Sequence, residues 1–264
     1  MAEGAPATAG PDEIRRLEAA AAAAWPARHV EPLDGWSLYV SGGGTRRTQS
    51  VQPIVAGERP VEDKISECER FYADRGVPCV FRLTPVSEPA DLERRLDAQG
   101  YVRSDETCVQ TAPLGRSSEV ERVARVEIDA KPSEAWIDRC LALAGARHAH
   151  ARAHMATLRR VAGRGAPAAF ARIELDGEIA ALGLGAVEDG YCFVGEVATD
   201  PQHRRVGLAR EIMTSLMVWG REVGAHEALL QVVADNLPAL ELYAKLGFVD
   251  RYTYWYRARQ PVDS

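Results

Sequence analysis

The sequence predicts an α/β (α+β) protein with a mixed, mostly antiparallel central sheet flanked by helices. Three observations lead there. Amphipathic helical stretches alternate with short apolar runs along the whole chain. Asp176-Gly177 and Asp189-Gly190 separate three consecutive apolar runs, and Asp-Gly is the dipeptide that closes tight antiparallel hairpins because both residues must take positive φ. The order of elements then restarts after Ala112-Pro113-Leu114-Gly115-Arg116-Ser117-Ser118, where Pro, Gly and Ser cluster between two periodic regions.

Taken in order, residues 1–10 are rich in Ala, Gly and Pro and are expected to be disordered, with helical signal from Pro11-Asp12 up to Trp25-Pro26. Strands are expected at Trp36 to Val40 and Thr48 to Ile54, a helix at Val61 to Asp74, and a strand at Cys79 to Leu83. A helix at Pro89 to Gln99 and a strand at Tyr101 to Thr111 complete a first domain, 11–112, and 113–118 reads as a linker. In the second domain, 119–264, helices are expected at Ser133 to Ala144 and Arg147 to Ala162, followed by a three-stranded meander at Ala169 to Leu175, Ile179 to Val187 and Tyr191 to Thr199. A helix from about Gly207 to Glu222 turns Leu208, Ile212, Leu216, Trp219 and Val223 to one face, and Leu229 to Val233 is a buried strand. The junction Leu92-Glu93…Leu96…Gly100-Tyr101-Val102 is repeated as Leu240-Glu241…Leu246-Gly247-Phe248-Val249, which suggests a duplication.

Composition narrows the function. With 264 residues of which 46% are hydrophobic, the chain can bury one large core or two modest ones. A net charge of -6, without basic runs interleaved with aromatics, gives no general attraction to nucleic acid. Five cysteines without a Cys-x-x-Cys pair point to a reducing, cytoplasmic setting, and no apolar stretch is long enough to span a bilayer. Gly163-Arg164-Gly165-Ala166-Pro167-Ala168 has the letters of a dinucleotide fingerprint but joins a helix to a strand, the reverse of the required order, so it reads as a loop. His148, His150 and His154 have the spacing of metal ligands, yet no carboxylate or thiolate stands near them in sequence, so no metal is expected.

The most informative segment is Arg204-Arg205-Val206-Gly207-Leu208-Ala209, between an apolar strand and an amphipathic helix. A small-residue loop that opens a helix directs unpaired backbone N–H groups and the positive end of the helix dipole at one point, with Arg204, Arg205 and Arg210 as further donors. Such a point binds an anion, most simply a phosphate. Downstream lies Asn236-Leu237-Pro238-Ala239-Leu240-Glu241-Leu242-Tyr243-Ala244-Lys245-Leu246-Gly247-Phe248. Together the two segments resemble the GNAT family of N-acetyltransferases, over roughly Ser118 to Arg257.

The resemblance implies a GNAT fold, here as two tandem GNAT-like domains of which the first is degenerate. It implies acetyl-CoA as acyl donor, with the pyrophosphate held by Arg204, Arg205, Val206, Gly207, Leu208, Ala209 and Arg210. Pantetheine would run along the exposed edge of Val197, Ala198 and Thr199, where family members split the sheet, and Asn236 would contact it or cap its own helix. A backbone N–H near Val197 would face the thioester oxygen. Tyr243 would protonate the leaving thiolate, a phenol titrating near ~10 against ~8.5 for a thiol. The base is less defined: the position some relatives fill with glutamate is Gln231 here, which leaves Glu196, or a chain of waters, to take the amine proton. In the first half, Val51 to Pro60 has no comparable loop, and Pro60, Glu62 and Asp63 would oppose a phosphate, so this half is expected to give support or a substrate wall. The expected partner is a small-molecule amine or amino acid, neither nucleic acid nor membrane, with a homodimer allowed. Acetylation of a protein lysine or N-terminus, and acyl-CoA binding without turnover, remain the alternatives.

Overall fold

Both Asp-Gly turns form as their chemistry asks. In the computed structural model, which describes residues 9–43, 45–115, 124–144 and 151–259, Asp176 and Gly177 take φ of 52° and 82°, and Asp189 and Gly190 take 47° and 76°. They join β7 (Ala168–Leu175), β8 (Glu178–Glu188) and β9 (Tyr191–Thr199) into the antiparallel meander expected from the sequence. A third pair, Asp34-Gly35, with φ of 44° and 84°, joins β1 (His29–Leu33) to β2 (Trp36–Val40).

The chain order continues with β3 (Val51–Gln52), α2 (Val61–Ala73), β4 (Val80–Leu83), α3 (Leu92–Ala98) and β5 (Val102–Pro113), preceded by α1 (Pro11–Ala24). The later part holds β6 (Glu127–Asp129), α4 (Glu134–Leu143), α5 (Ala151–Gly163), the meander, α6 (Leu208–Glu222), β10 (Glu227–Val233), α7 (Leu237–Lys245) and β11 (Val249–Ala258). The strand expected over Thr48 to Ile54 shortens to two residues, because Arg46–Thr48 forms a 3-10 turn. Ala9 is buried and its N–H bonds the Arg251 carbonyl at 3.0 Å, so order begins before Pro11. Residues 116–118 of the expected linker lie outside the described residues, and Pro113 belongs to β5.

The two parts repeat one plan. An antiparallel set is followed by a helix and a strand parallel to the last one (β3 with β4, β9 with β10), then by a helix and a long final strand. Gly100 and Gly247, at φ of 80° and 85°, end α3 and α7 in the same way, with Tyr101 N–H on the Leu96 carbonyl and Phe248 N–H on the Tyr243 carbonyl. The final strands are exchanged. In the 11-stranded sheet of order β1-β2-β3-β4-β11-β5-β10-β9-β8-β7-β6, β5 pairs with β10 and β11 pairs with β4. One continuous sheet therefore unites the two parts.

Alternation along β8 sorts its faces. Leu182, Leu184 and Ala186 pack under α1, α4 and α5, whereas Gly183 and Gly185 face α6. A Cβ on Gly183 would lie 2.5 Å from Ile212 Cγ2, so the glycine allows α6 to approach the sheet closely and set its N-terminus at the end of β9. Leu208, Ile212, Met213 and Leu216 are the buried face of α6; Val223, expected on it, is 38% exposed because the helix has ended at that position. Substituting Gly183 with Val should lower stability by about 1–3 kcal/mol through overpacking, read as a lower urea midpoint at unchanged slope.

Candidate active site

The parallel pairing of β9 with β10 runs only from Tyr191 to Phe193 against Glu227 to Leu229. Beyond it, β9 continues to Thr199 on β8 while β10 continues to Val233 on β5, so the two strands diverge. A cleft of about 930 Å³ opens between them, lined by Val194 to Ala198 on one side and Leu230 to Val233 on the other. Asn236 and Tyr243 from α7, Cys140 from α4, Tyr254 and Tyr256 from β11, and Arg46, Arg47, Asp105 and Thr107 from the first half complete its walls.

Glu196 reaches this cleft by a backbone irregularity. The β8–β9 register shifts between Leu184/Gly195 and Leu182/Ala198, and Glu196 sits in the shift at φ 53°, where strand alternation no longer governs its side chain. The carboxylate is buried against His154 of α5, Oε2 to Nε2 at 3.1 Å, and Cys140 Sγ donates to it at 3.5 Å. His154 in turn lies 5.5 Å, ring to ring, from Trp25. The nitrogen, sulfur and oxygen of His154, Cys140 and Glu196 all lie within 4.8 Å of one another and could hold a metal ion. The sequence expectation of no metal rested on neighbours along the chain; the carboxylate and thiol that join His154 come from distant elements. His148 and His150 lie outside the described residues.

The anion loop follows β9 directly. Asp200 accepts the Gln202 N–H at 2.7 Å and pairs with Arg139, which fixes the turn Pro201–His203. The Gln202 N–H, then the Arg139 charge, hold the Asp200 carboxyl below the usual carboxylate range. Arg205 at φ 67° and Gly207 at φ 93° curl the backbone, and the first bond of α6 runs from Glu211 N–H to the Gly207 carbonyl at 3.1 Å. No side chain caps this end, so the amides of Leu208, Ala209 and Arg210 precede the helical ladder unpaired with it. Arg204, Arg205 and Arg210 are exposed around the loop, and among the described residues none joins a carboxylate. Thr199 Oγ1, where the strand meets the loop, is buried without a hydrogen-bond partner. A diphosphate with an extended polar tail fits such a set: uncapped amides, cations and an open strand edge carrying an orphaned hydroxyl.

The loop before the corresponding helix of the first half is built differently. Ahead of α2, the Glu58 and Arg59 amides donate to the Asp34 carboxylate at 3.0 and 2.9 Å, and the buried Lys64 ammonium lies 3.3 Å from it. The Arg59 and Glu58 N–H bonds, in that order, hold the Asp34 carboxyl below its usual range. A carboxylate thus takes two loop amides ahead of Pro60, and Glu62 and Asp63 add negative charge in the first turn of α2. Gly57 makes the Asp34 contacts possible, since a Cβ there would stand 2.2 Å from Asp34 Oδ2.

Residues 11–257 match the family described as "Probable histone acetyltransferase Rv0428c C-terminal". The chain belongs to this acetyltransferase family. It is 30% identical over 254 residues to "Uncharacterized N-acetyltransferase YobR" of Bacillus subtilis, covering 94% of this chain and 100% of the relative. It is 29% identical over 250 residues to "Probable histone acetyltransferase Rv0428c" of Mycobacterium tuberculosis, covering 85% of this chain and 70% of that protein. Among solved structures, a GCN5-related N-acetyltransferase from Kribbella flavida superposes with a TM-score of 0.68 at 19% identity, covering 93% of this chain and 95% of that one. A tandem GNAT protein from the clavulanic acid biosynthesis pathway superposes with a TM-score of 0.59 at 17% identity, covering 76% and 70%. The protein is an acyltransferase with the GNAT fold.

In this GNAT acyltransferase, Glu196, Val197, Ala198, Asn236 and Tyr243 share one cleft, and Arg204 to Arg210 form the loop beyond Thr199. Asn236 Oδ1 accepts the Ala239 N–H at 3.4 Å and caps α7. Gln231 Oε1 is occupied by Tyr254 Oη at 3.2 Å and Arg47 Nη1 at 3.5 Å. The sequence did not mark Cys140, Arg46, Arg47, Tyr254 or Tyr256, and it marked His154 only by histidine spacing; their places in the cleft arise only when the sheet closes. Replacing Gly207 with Val forces a β-branched residue to φ 93°; coenzyme A affinity, measured by calorimetry, should fall at least about ten-fold.

Proposed function

We propose that the protein transfers an acetyl group from acetyl-CoA to a primary amine of a small molecule or amino acid, by direct attack in a ternary complex. The observation that carries this reading is the cleft between the diverging strands, with Glu196 and Tyr243 on its walls and an uncapped, arginine-ringed helix at the end of β9. Acetyl-CoA, when bound, supplies the activated acyl group as a thioester. The amides of Leu208, Ala209 and Arg210 would hold its diphosphate, and the edge of Val197 to Thr199 would align the pantetheine as an added strand. The Val197 amide would meet negative charge growing on the thioester oxygen.

Glu196 accepts the amine proton as the nitrogen–carbon bond forms, and His154 keeps its carboxylate in place. Tyr243 gives its proton to the sulfur as the carbon–sulfur bond breaks. Burial pushes the Tyr243 phenol above its ordinary value, which keeps it protonated at neutral pH and suits it to an acid. The first half narrows the cleft with Arg46, Arg47, Asp105 and Thr107, which favours a small acceptor over a protein chain. Acetylation of a protein lysine is the second reading, supported by the mycobacterial relative being described as a probable histone acetyltransferase. The free cysteines suit the reducing cytoplasm, where we place the enzyme.

The test is thiol release from acetyl-CoA across a panel of small amines, amino acids and a lysine-rich peptide. Release with small acceptors is expected; release with the peptide alone supports the second reading, and binding of coenzyme A without release to any acceptor contradicts transfer. Glu196→Gln should lower kcat about 100-fold or more, with coenzyme A affinity within about two-fold of wild type. Because the Tyr243 pKa is raised, its deprotonation should cut kcat only above pH ~10, and Tyr243→Phe should remove that basic limb while slowing turnover about 10–100-fold.

A further inference from the structure

Two cavities meet at Arg47. The cleft between β9 and β10 adjoins a second cavity of about 170 Å³ between α1 and the first-half strands, and Arg47 and Gln231 line both. Arg47 Nη1 lies 3.5 Å from Gln231 Oε1, and its guanidinium sits 5.8 Å from the Trp25 ring centre. Every other arginine on these walls is matched. Arg82 is buried against Glu18, which also accepts the Tyr252 hydroxyl; Arg15 pairs with Asp12, and Arg46 with Asp105. Among the described residues no carboxylate stands within ion-pair distance of Arg47, although it is half-buried at the junction.

A half-enclosed guanidinium held only by a neutral amide and an aromatic ring has donors to spare, and its planar fork fits a carboxylate with two parallel hydrogen bonds. Beside it, Ala19, Ala22, Trp25 and Ile54 give the smaller cavity apolar walls. We propose that Arg47 binds the carboxylate of the acceptor, which is therefore a small α-amino acid or closely related amino carboxylate whose apolar side chain enters the smaller cavity. The proposal rests on the acetyl-transfer reading for its reaction and deepens it by naming the acceptor class. Gln231 acquires a role from this: it cannot serve as base, but its side-chain oxygen holds Arg47 at the mouth of both cavities.

The experiment uses matched probes: L-valine, L-leucine and L-phenylalanine against 2-methylpropylamine, 3-methylbutylamine and 2-phenylethylamine. Binding is measured by calorimetry with coenzyme A saturating, and turnover by thiol release from acetyl-CoA, for wild type, Arg47→Gln and Arg47→Lys. Wild type should bind at least one amino acid about ten-fold or more tightly than its decarboxylated partner. Arg47→Gln should bring that amino acid down to the level of the amine, as a rise in KM with kcat within about three-fold, and Arg47→Lys should restore part of the preference. Equal binding of both probe classes by wild type, an equal loss for both in Arg47→Gln, or no binding of any probe overturns the proposal. Arg47-dependent binding of an amino acid without thiol release keeps the carboxylate site and sinks acetyl transfer instead. Thiol release from the amines alone does the reverse.

Discussion

β10 is paired through seven residues with β5 on one side but through only three with β9 on the other. Backbone N–H and C=O groups in a sheet need partners, and past Phe193 the facing edges of β9 and β10 cannot supply each other. The site depends on that asymmetry. It creates the cleft and exposes the edge from Val197 to Thr199, and the β8–β9 register shift on the same strand turns Glu196 toward His154. The close seat of α6 on Gly183 and Gly185 then brings a positive helix end to the place where the edge runs out.

The partner that holds β10 open belongs to the other half of the chain. Because β5 and β11 trade places, the first half supplies the strand against which the cleft is defined and the cationic wall that faces it. The two helix N-termini show how a repeated plan diverges. Neither helix has a side-chain cap, but α6 starts at an αL glycine among arginines that join no carboxylate among the described residues, whereas α2 follows loop amides taken by the Asp34 carboxylate and carries Glu62 and Asp63 in its first turn. Carboxylates around the start of α2 repel a phosphate, whereas the start of α6 is ringed by cations that attract one.

Local chemistry made much of this legible in the sequence. The meander was fixed by its Asp-Gly turns, β9 was placed to its residue bounds, and α6 differed by one residue from the expected start. β1 was missed although Asp34-Gly35 offered the same turn signal, because its exposed residues and Pro32 hide the strand pattern. The exchange of β5 and β11 left no local trace, since either strand has the composition to pair with several neighbours. The same holds for the site. The anion loop and Tyr243 lie in short contiguous motifs, whereas His154, Cys140 and Arg47 meet the cleft from separate elements, and nothing local in the sequence joins them. Glu196 could be named as the nearest carboxylate, but its direction was not legible, because φ 53° at a register shift frees it from strand alternation.

A crystal structure with coenzyme A bound tests the central claim most directly. The account predicts the diphosphate on the amides of Leu208 to Arg210 and the pantetheine along Val197 to Thr199, with its sulfur in the cleft between Glu196 and Tyr243. Density for the diphosphate at the N-terminus of α2, or a pantetheine that leaves the β9 edge unpaired, would contradict it.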